Sequence, residues 1–431
     1  MSVIPKTMRA VVYRGVNDLR LETVPVPRLA ANELLVRVAV CGVCPTDIKK
    51  IQHGTVPPPR IFGHETAGTI VKLGSGGASV LASRFKIGDR VALHHHVPCL
   101  DCHYCRHRAF AQCETYKRTG ITAGFEPAGG GYAEYVRVLP FVLPGVVKIP
   151  AKNSFEEGAM LEPVNTVLKA VRRLNLLRGD VVLVAGQGPI GLMFTRLLQL
   201  QGARVLATDL LASRLRLARK FGAKWTELVH SPQSIVRSLQ TTVNRGPETV
   251  DCAIVAVPSD AVVQQALELV RGGGQVLLFA HTKRSMNDRS RRSDAKADKL
   301  ATLSSLSAAG GGTGHCPSPA GAGEGGTTVL GEGCGAKSDS CGEVAVPSSQ
   351  LPSPISQIDL ASICLDEKDL IGSYSSDFTL QREVARLVFS RQLDVRRLIT
   401  HRFPLEQTAT AVQLAARPTE DSLKIVVQAE T

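Results

Sequence analysis

The chain has 431 residues and a net charge of +13; 44% of it is hydrophobic and only 4% aromatic, with a mean hydropathy of +0.05. That length and balance support two globular domains with real cores. Scattered Lys and Arg with few aromatics argue against nucleic-acid binding and favour a basic field that attracts an anionic cofactor or substrate.

The N-terminus, Met1-Ser-Val-Ile-Pro-Lys6, has no apolar core of a secretory signal, so none is expected. Residues 1 to about 150 read as β-rich. Ala10–Tyr13, Glu33–Val40 and Thr69–Leu73 are β-branched runs divided by Gly and Pro turns, and Gly88-Asp-Arg-Val91 is a turn feeding another strand. Within this region lie Cys41-Gly-Val-Cys44-Pro-Thr46-Asp47 and Gly63-His64-Glu65. A thiolate, an imidazole and a carboxylate from separate loops can hold Zn²⁺ with one position left for substrate. Each residue also has a plain reading, His64 as a satisfied core histidine and Cys44 as a small buried hydrophobe.

Next comes His94-His-His96, then Cys99-Leu-Asp-Cys102-His-Tyr-Cys105, with Cys113 following. Four thiolates at this spacing can fill all four positions of a tetrahedral Zn²⁺, which makes a closed, structural site. Glu162, in Leu161-Glu-Pro-Val164, is either a further ligand or an acid at a helix N-terminus.

From about residue 155 helical periodicity alternates with short apolar strands, the pattern of a parallel sheet built from βαβ units. The strands expected are Val181–Ala185, Val205–Thr208, Val250–Val257, Gln275–Ala280 and Leu370–Tyr374, with helices at Leu192–Gln201 and Ala212–Phe221. The apolar run Val181–Phe194 is interrupted by three glycines and a proline and is too short to span a bilayer. It contains Gly186-Gln-Gly188-Pro189-Ile190-Gly191, which follows a strand and opens a helix. Asp209 stands 18 residues past the last glycine, at the end of the next strand. That context marks a dinucleotide site. Gly186 permits the tight turn, Gly188 lets the pyrophosphate approach, and Gly191 allows close packing. Asp209 favours NAD over NADP by accepting from the ribose hydroxyls, and Arg214 nearby softens that preference; the alternative for Asp209 is a solvated loop acid.

Residues 283–355 break the pattern. They begin with a basic run from Lys283, and residues 301–350 hold 12 Gly and 8 Ser and no Phe, Tyr or Trp. Such a stretch is expected to be a disordered insertion. His315, Cys316, Cys334 and Cys341 within it are too loosely spaced to specify a metal site. Eleven cysteines with no signal sequence favour reduced thiols and metal ligands in the cytoplasm over a disulfide framework.

The motifs CGxCxTD, GHE, the four-cysteine lobe and GxGxxG occur here in one order, and together they resemble the zinc-dependent medium-chain dehydrogenase/reductase family, which includes alcohol, sorbitol and threonine dehydrogenases. The likeness covers residues 1 to about 282 and about 356 to 431, including His401-Arg-Phe-Pro404 as the segment that returns to the first domain. It implies an α/β fold in which a GroES-like β-rich catalytic domain is joined to a Rossmann-type doubly wound parallel sheet. The expected division is 1–163 (catalytic, with the zinc lobe at 94–114), 164–375 (NAD-binding, interrupted by the insertion) and 376–431 (returning segment).

The resemblance also implies roles. Cys44 and His64 match catalytic-zinc ligands, whereas Cys41 matches a position that is not one. Glu65 matches the carboxylate that ligates zinc in sorbitol and threonine dehydrogenases, and Glu162 a ligand or a water-holding group. Thr46 matches the hydroxyl that receives the substrate proton, Asp47 an acid behind the ligands, and His96 a substrate-side histidine of threonine dehydrogenase. Lys49 stands where many members have a proton-relay histidine. After Gly372 the chain reads Ser-Tyr-Ser-Ser-Asp377 without the Arg-Tyr pair of sorbitol dehydrogenases, which argues against sorbitol itself. The cofactors implied are two Zn²⁺ per chain and NAD. The expected partners are a small alcohol or carbonyl substrate and further copies of the chain in a homodimer or homotetramer, with no nucleic acid and no membrane. The competing function is a zinc- and nucleotide-binding scaffold without turnover, with the insertion as an interaction tail.

Overall fold

The computed structural model describes residues 3–75, 84–94, 96–119, 129–229, 249–280 and 360–429. The expected insertion, with His315 and its three cysteines, lies outside the described residues, as does His95. The described residues belong to one unit, Met1–His281 with Ile358–Thr431.

The N-terminal region forms two antiparallel sheets. β1 (Thr7–Gly15) and β2 (Asp18–Pro25) make a hairpin with the short β4 (Arg60–Ile61) on the other side of β1. The larger sheet is built on β3 (Leu34–Gly42) and β5 (Glu65–Leu73), joined by β6 (Arg90–Leu93), β7 (Tyr135–Val138) and β8 (Val147–Lys148). Its other edge comes from the far end of the chain. β15 (Ile399–Pro404) pairs in parallel with β16 (Lys424–Gln428), and β16 pairs antiparallel with β3, setting Val426 opposite Gly42. The segment containing His401–Pro404 therefore does return to the first sheet.

The second region is a six-stranded, wholly parallel sheet. In spatial order it runs β11 (Trp225–Leu228), β10 (Arg204–Asp209), β9 (Val181–Ala185), β12 (Val250–Val255), β13 (Val270–Leu278) and β14 (Asp369–Gly372). Numbered within the sheet this is 3-2-1-4-5-6, the doubly wound order, whose switch point falls between β9 and β12. β9 shows why it sits at the centre. All five residues, Val-Val-Leu-Val-Ala, are buried. Val182 and Val184 enter one core, whereas Leu183 and Ala185 enter the core on the opposite face. A strand covered on both faces needs a continuous apolar run rather than alternation.

Most strand and helix ends shift by one to five residues from expectation, and two of the shifts have identifiable reasons. The helix after the glycine turn begins at Pro189 rather than Leu192 and runs to Leu200; proline at the first helical position has no N–H to waste and a pre-set φ. β13 starts at Val270, ahead of Gln275, because Val250 pairs with Val270 before the register shifts to Cys252 opposite Gln275. Arg271 to Gly274 are the residues between those two pairs, and Gly273 there takes φ +66°.

Candidate active site and zinc centres

The first cluster is assembled from three strand and helix ends. β3 ends at Gly42, and two residues later Cys44 caps α1 (Pro45–His53), accepting from the Thr46 N–H at 3.5 Å through its sulfur. Pro45 and the cap together start the helix here, so Thr46, Asp47 and Lys49 lie within its first turns. His64 immediately precedes β5 and Glu65 opens it; β5 pairs with β3 so that Gly42 faces Glu65. The pairing of two strands thus brings the CGVC and GHE motifs together. Donor atoms of Cys44, His64 and Glu65 all lie within 4.8 Å of one another. Gly42 is required by this approach: a Cβ there would overlap the Glu65 carboxylate.

Asp47 is fully buried and its Oδ1 is 3.1 Å from Nδ1 of His64. Burial works against charge on both, yet their attraction prevails: Asp47 is held below the usual carboxylate range and His64 well above the usual imidazole range, with the Cys44 sulfur adding to the latter. An imidazole that gives Nδ1 to a carboxylate has Nε2 left for a metal. Glu65 is bound by the buried Lys424 of β16, whose Nζ donates to Oε1 at 2.6 Å, closely approaches Oε2, and donates to the Val43 carbonyl at 2.9 Å. Burial would discharge that ammonium, but Glu65 keeps it charged.

Glu162 is not part of this ligand cluster. It lies buried in the first turn of α3 (Leu161–Val171), which follows α2 (Phe155–Ala159), with its Oε1 3.3 Å from Nδ1 of His96. His96 is also 2.6 Å from the Ser376 hydroxyl, and Ser376 is 3.5 Å from Nε2 of His94. Burial holds both imidazoles neutral, His96 well below its usual range and His94 at about 3. The Tyr116 ring packs on His96 at 4.8 Å between centroids. Ser376 belongs to the loop that leaves β14, so the loop after the last strand of the parallel sheet meets the histidine beside the ligand cluster. Lys49 is half-buried, and burial lowers its basicity while the Cys44 sulfur opposes that.

The second cluster is the four-cysteine lobe. Donor atoms of Cys99, Cys102, Cys105 and Cys113 lie within 4.8 Å of one another. Cys102 and Cys105 sulfurs are 3.5 Å apart, and the Cys99 N–H points at the Cys113 sulfur at 3.4 Å. The Asp101 and Cys102 amides bring the Cys99 thiol down to about 6, whereas burial pushes Cys105 up to about 12. Four convergent sulfurs, one of them already acidic through backbone donors, fit a closed zinc site. The Cys44, His64, carboxylate set, with a carboxylate behind the histidine, fits an open one. Phe110 of the lobe meets Phe378 at 5.6 Å, which braces the Ser376 loop.

At the glycine turn, Gly186 has φ +92° and Gly191 has no room for a side chain, since a Cβ there would overlap the Gly186 carbonyl oxygen. A Cβ on Gly188, by contrast, would meet nothing, which leaves the backbone open to a ligand at the cap of the helix Pro189–Leu200 (α4). Ile190 packs on the core. Asp209 ends β10 and accepts from the Gln187 N–H at 2.6 Å and the Leu211 N–H at 2.9 Å. It therefore fastens the glycine turn. Arg214 sits 4.0 Å from Asp209 and donates to the Ser422 carbonyl at 3.5 Å.

Two contributors escaped the sequence reading. Lys424 had a signal, a lone cation opening the apolar strand Lys424-Ile-Val-Val. Ser376 had none beyond the missing Arg-Tyr pair.

Residues 30–151 match the alcohol dehydrogenase GroES-like domain and residues 189–303 the zinc-binding dehydrogenase domain. The chain is 33% identical over 287 residues to sorbitol dehydrogenase of Gallus gallus, covering 64% of this chain and 76% of that one. It is 31% identical over 283 residues to sorbitol dehydrogenase of Bacillus subtilis, covering 64% and 75%. Against sorbitol dehydrogenase of Bombyx mori the identity is 26% over 425 residues, 97% of this chain and 98% of that one. Among solved structures, the fold matches an alcohol dehydrogenase from Thermus sp. ATN1 with a TM-score of 0.69 at 24% identity, covering 98% and 99% of the two chains. It matches 2R,3R-butanediol dehydrogenase from Bacillus subtilis with a TM-score of 0.69 at 20% identity, covering 98% and 100%. Among the described residues, no helix is long and apolar enough to cross a membrane.

Proposed function

The chain belongs to the zinc-dependent medium-chain dehydrogenase/reductase family, and from that premise we propose that it is an NAD-dependent dehydrogenase moving a hydride between an alcohol or polyol, or the matching carbonyl, and NAD(H). The observation that carries this reading is the convergence of Cys44, His64 and Glu65 within 4.8 Å, with Asp47 fixing the histidine. We assign these three as the holders of the catalytic zinc, Glu162 as a neighbouring acid able to join them, and Cys99, Cys102, Cys105 and Cys113 as the holders of a structural zinc.

When bound, zinc supplies Lewis-acid polarisation of the substrate oxygen and NAD supplies the hydride acceptor. The remaining work falls to the chain. Thr46, beside the Cys44 cap, receives the hydroxyl proton, and Lys49, one turn further along the same helix, stands on its way outward. Asp47 holds His64 in the tautomer that leaves Nε2 for the metal. Gly188 and the α4 N-terminus receive the pyrophosphate, and Asp209 the adenosine ribose, with Arg214 beside it. His96, tied to Glu162 and Ser376, shapes the substrate side. The neutral imidazoles and the Ser376 hydroxyl suit an uncharged hydroxylated substrate, and without the Arg-Tyr pair sorbitol itself is a poor candidate.

The division 1–163, 164–375 and 376–431, assembly as a homodimer or homotetramer, and a cytoplasmic setting go with this reading. The test is a panel of alcohols and polyols with NAD and NADP side by side. Cys44→Ser, or removal of the labile zinc, should abolish NAD reduction; full activity without that metal overturns the mechanism. NADH binding with no turnover across the panel would instead support the scaffold reading.

A further inference from the structure

The loop that leaves β14 is gripped by one row of side chains on a helix. Asn165, Lys169 and Arg173 stand four residues apart, the first two on α3 and the third just past its end. Each bonds to the backbone of residues 372–377. The Asp377 N–H donates to Asn165 Oδ1 at 2.8 Å, Lys169 Nζ donates to the Tyr374 carbonyl at 2.8 Å, and Arg173 donates to the Gly372 carbonyl. Helix and loop therefore run side by side in opposite directions. Asn165 is fully buried and its amide is used at both ends, since Nδ2 also donates to Gln381 Oε1 at 3.0 Å. Between these anchors Ser375 takes φ +64°, a left-handed conformation that serine does not favour, so the loop depends on bonds from outside it. The same helix carries Glu162 in its first turn, 3.3 Å from His96 Nδ1, and the loop carries Ser376, 2.6 Å from the same nitrogen.

We propose that Asn165 is a positioning residue for substrate, which locks the 372–377 loop to α3 and so, through Ser376, fixes the His96 ring. The inference rests on the reading of His96 as the substrate-side histidine of a dehydrogenase. One imidazole nitrogen shared by a carboxylate on the helix and a hydroxyl on the loop keeps its ring still only while helix and loop keep their separation. Asn165 sets that separation where it matters, because its partner Asp377 is the neighbour of Ser376. Its burial keeps out the water that would compete for the Asp377 amide. Lys169 and Arg173 are less buried and hold the part of the loop further from Ser376. A histidine fixed in this way presents one hydrogen-bonding geometry to a hydroxylated substrate, and a loosened one presents many.

The experiment is a double-mutant cycle on the holoenzyme: the unaltered chain, Asn165→Ala, Ser376→Ala and the two together. Steady-state kinetics with the best alcohol of the panel, an NADH titration and backbone hydrogen exchange over residues 372–377 are measured on each. Asn165→Ala should raise KM about fivefold, the loss of one buried hydrogen bond, with little change in kcat or in NADH binding. Exchange in the loop should become about tenfold faster. Added to Ser376→Ala, it should raise KM by less than about twofold more, because both changes cut the same line to His96. A general loosening of packing would instead multiply the two effects, to about 25-fold. That product, an unchanged KM or unchanged exchange overturns the proposal while leaving the dehydrogenase reading intact. No turnover by the unaltered chain across the panel overturns that reading and this inference with it. Should Asn165→Ala fail to fold, Lys169→Met, which keeps the packed stem and removes only the Nζ bond to Tyr374, takes its place in the cycle. A KM raised about threefold there and not multiplied by Ser376→Ala supports the proposal, and an unchanged or multiplied KM overturns it.

Discussion

Asp47 Oδ1 lies 3.1 Å from Nδ1 of His64, and both residues are buried. This contact selects the tautomer of His64 and fixes its ring, leaving Nε2 for the proposed zinc. Asp47→Ala should therefore lower zinc affinity at this site by about 10- to 100-fold. Competition with a chromophoric chelator measures it, and NADH binding should stay unchanged.

Ser376 makes the corresponding contact to His96, 2.6 Å from its Nδ1. Ser376→Ala removes a buried hydrogen bond worth about 1 kcal/mol, or roughly a fivefold change. The expected effect is a higher KM for alcohol with little change in the NADH dissociation constant. Steady-state kinetics beside a fluorescence titration separates the two.

Gly191→Ala places a methyl group against the Gly186 carbonyl oxygen, a backbone atom that cannot turn aside. The turn must open, and with it the cap that faces the pyrophosphate. NADH affinity should fall by about tenfold or more, since roughly 1.4 kcal/mol of misplacement is enough for that. Zinc content should be unaffected, as metal analysis would show.

Glu157 closes a capping box with Ser154 and also accepts from Asn153 at 2.9 Å and Arg391 at 3.1 Å. Burial opposes its charge, but the Ser154 amide and Arg391 hold it below the usual carboxylate range. Its stabilisation is thus present above the unfolded value of about 4.3 and lost as pH falls through the lower folded value. Glu157→Gln should lower Tm at pH 7, and the difference from the unaltered chain should shrink as pH falls below about 4.3. Melting curves across that range check the convergence.

In the four-cysteine lobe the thiols are unequal: backbone amides bring Cys99 down to about 6 and burial pushes Cys105 up to about 12. After chelation at pH 7.5, iodoacetamide should modify Cys99 first and Cys105 last, because the thiolate is the nucleophile. Loading with zinc should protect all four. Peptide mapping by mass spectrometry gives the order.

Much of this protein was legible along the chain. The strand Val181–Ala185 was marked by its unbroken apolar run, and the glycine turn by steric needs only glycine meets. Both clusters of convergent donor atoms were visible as well, because the residue types and spacing carry the chemistry. Glu162 was open between a further ligand and an acid at a helix N-terminus; it lies in the first turn of the helix Leu161–Val171, with its carboxylate against His96.

What the sequence determined by itself is what local sterics and ligand chemistry can encode: the element types, the two donor sets and the dinucleotide turn. What only the tertiary structure decided is who stands behind those donors. Lys424 meets Glu65 because β16 returns to pair with β3, and Ser376 meets His96 because the loop after β14 runs over the first region. Both contacts join residues about 280 or more positions apart, and their short distances depend on strand pairing that no local pattern records.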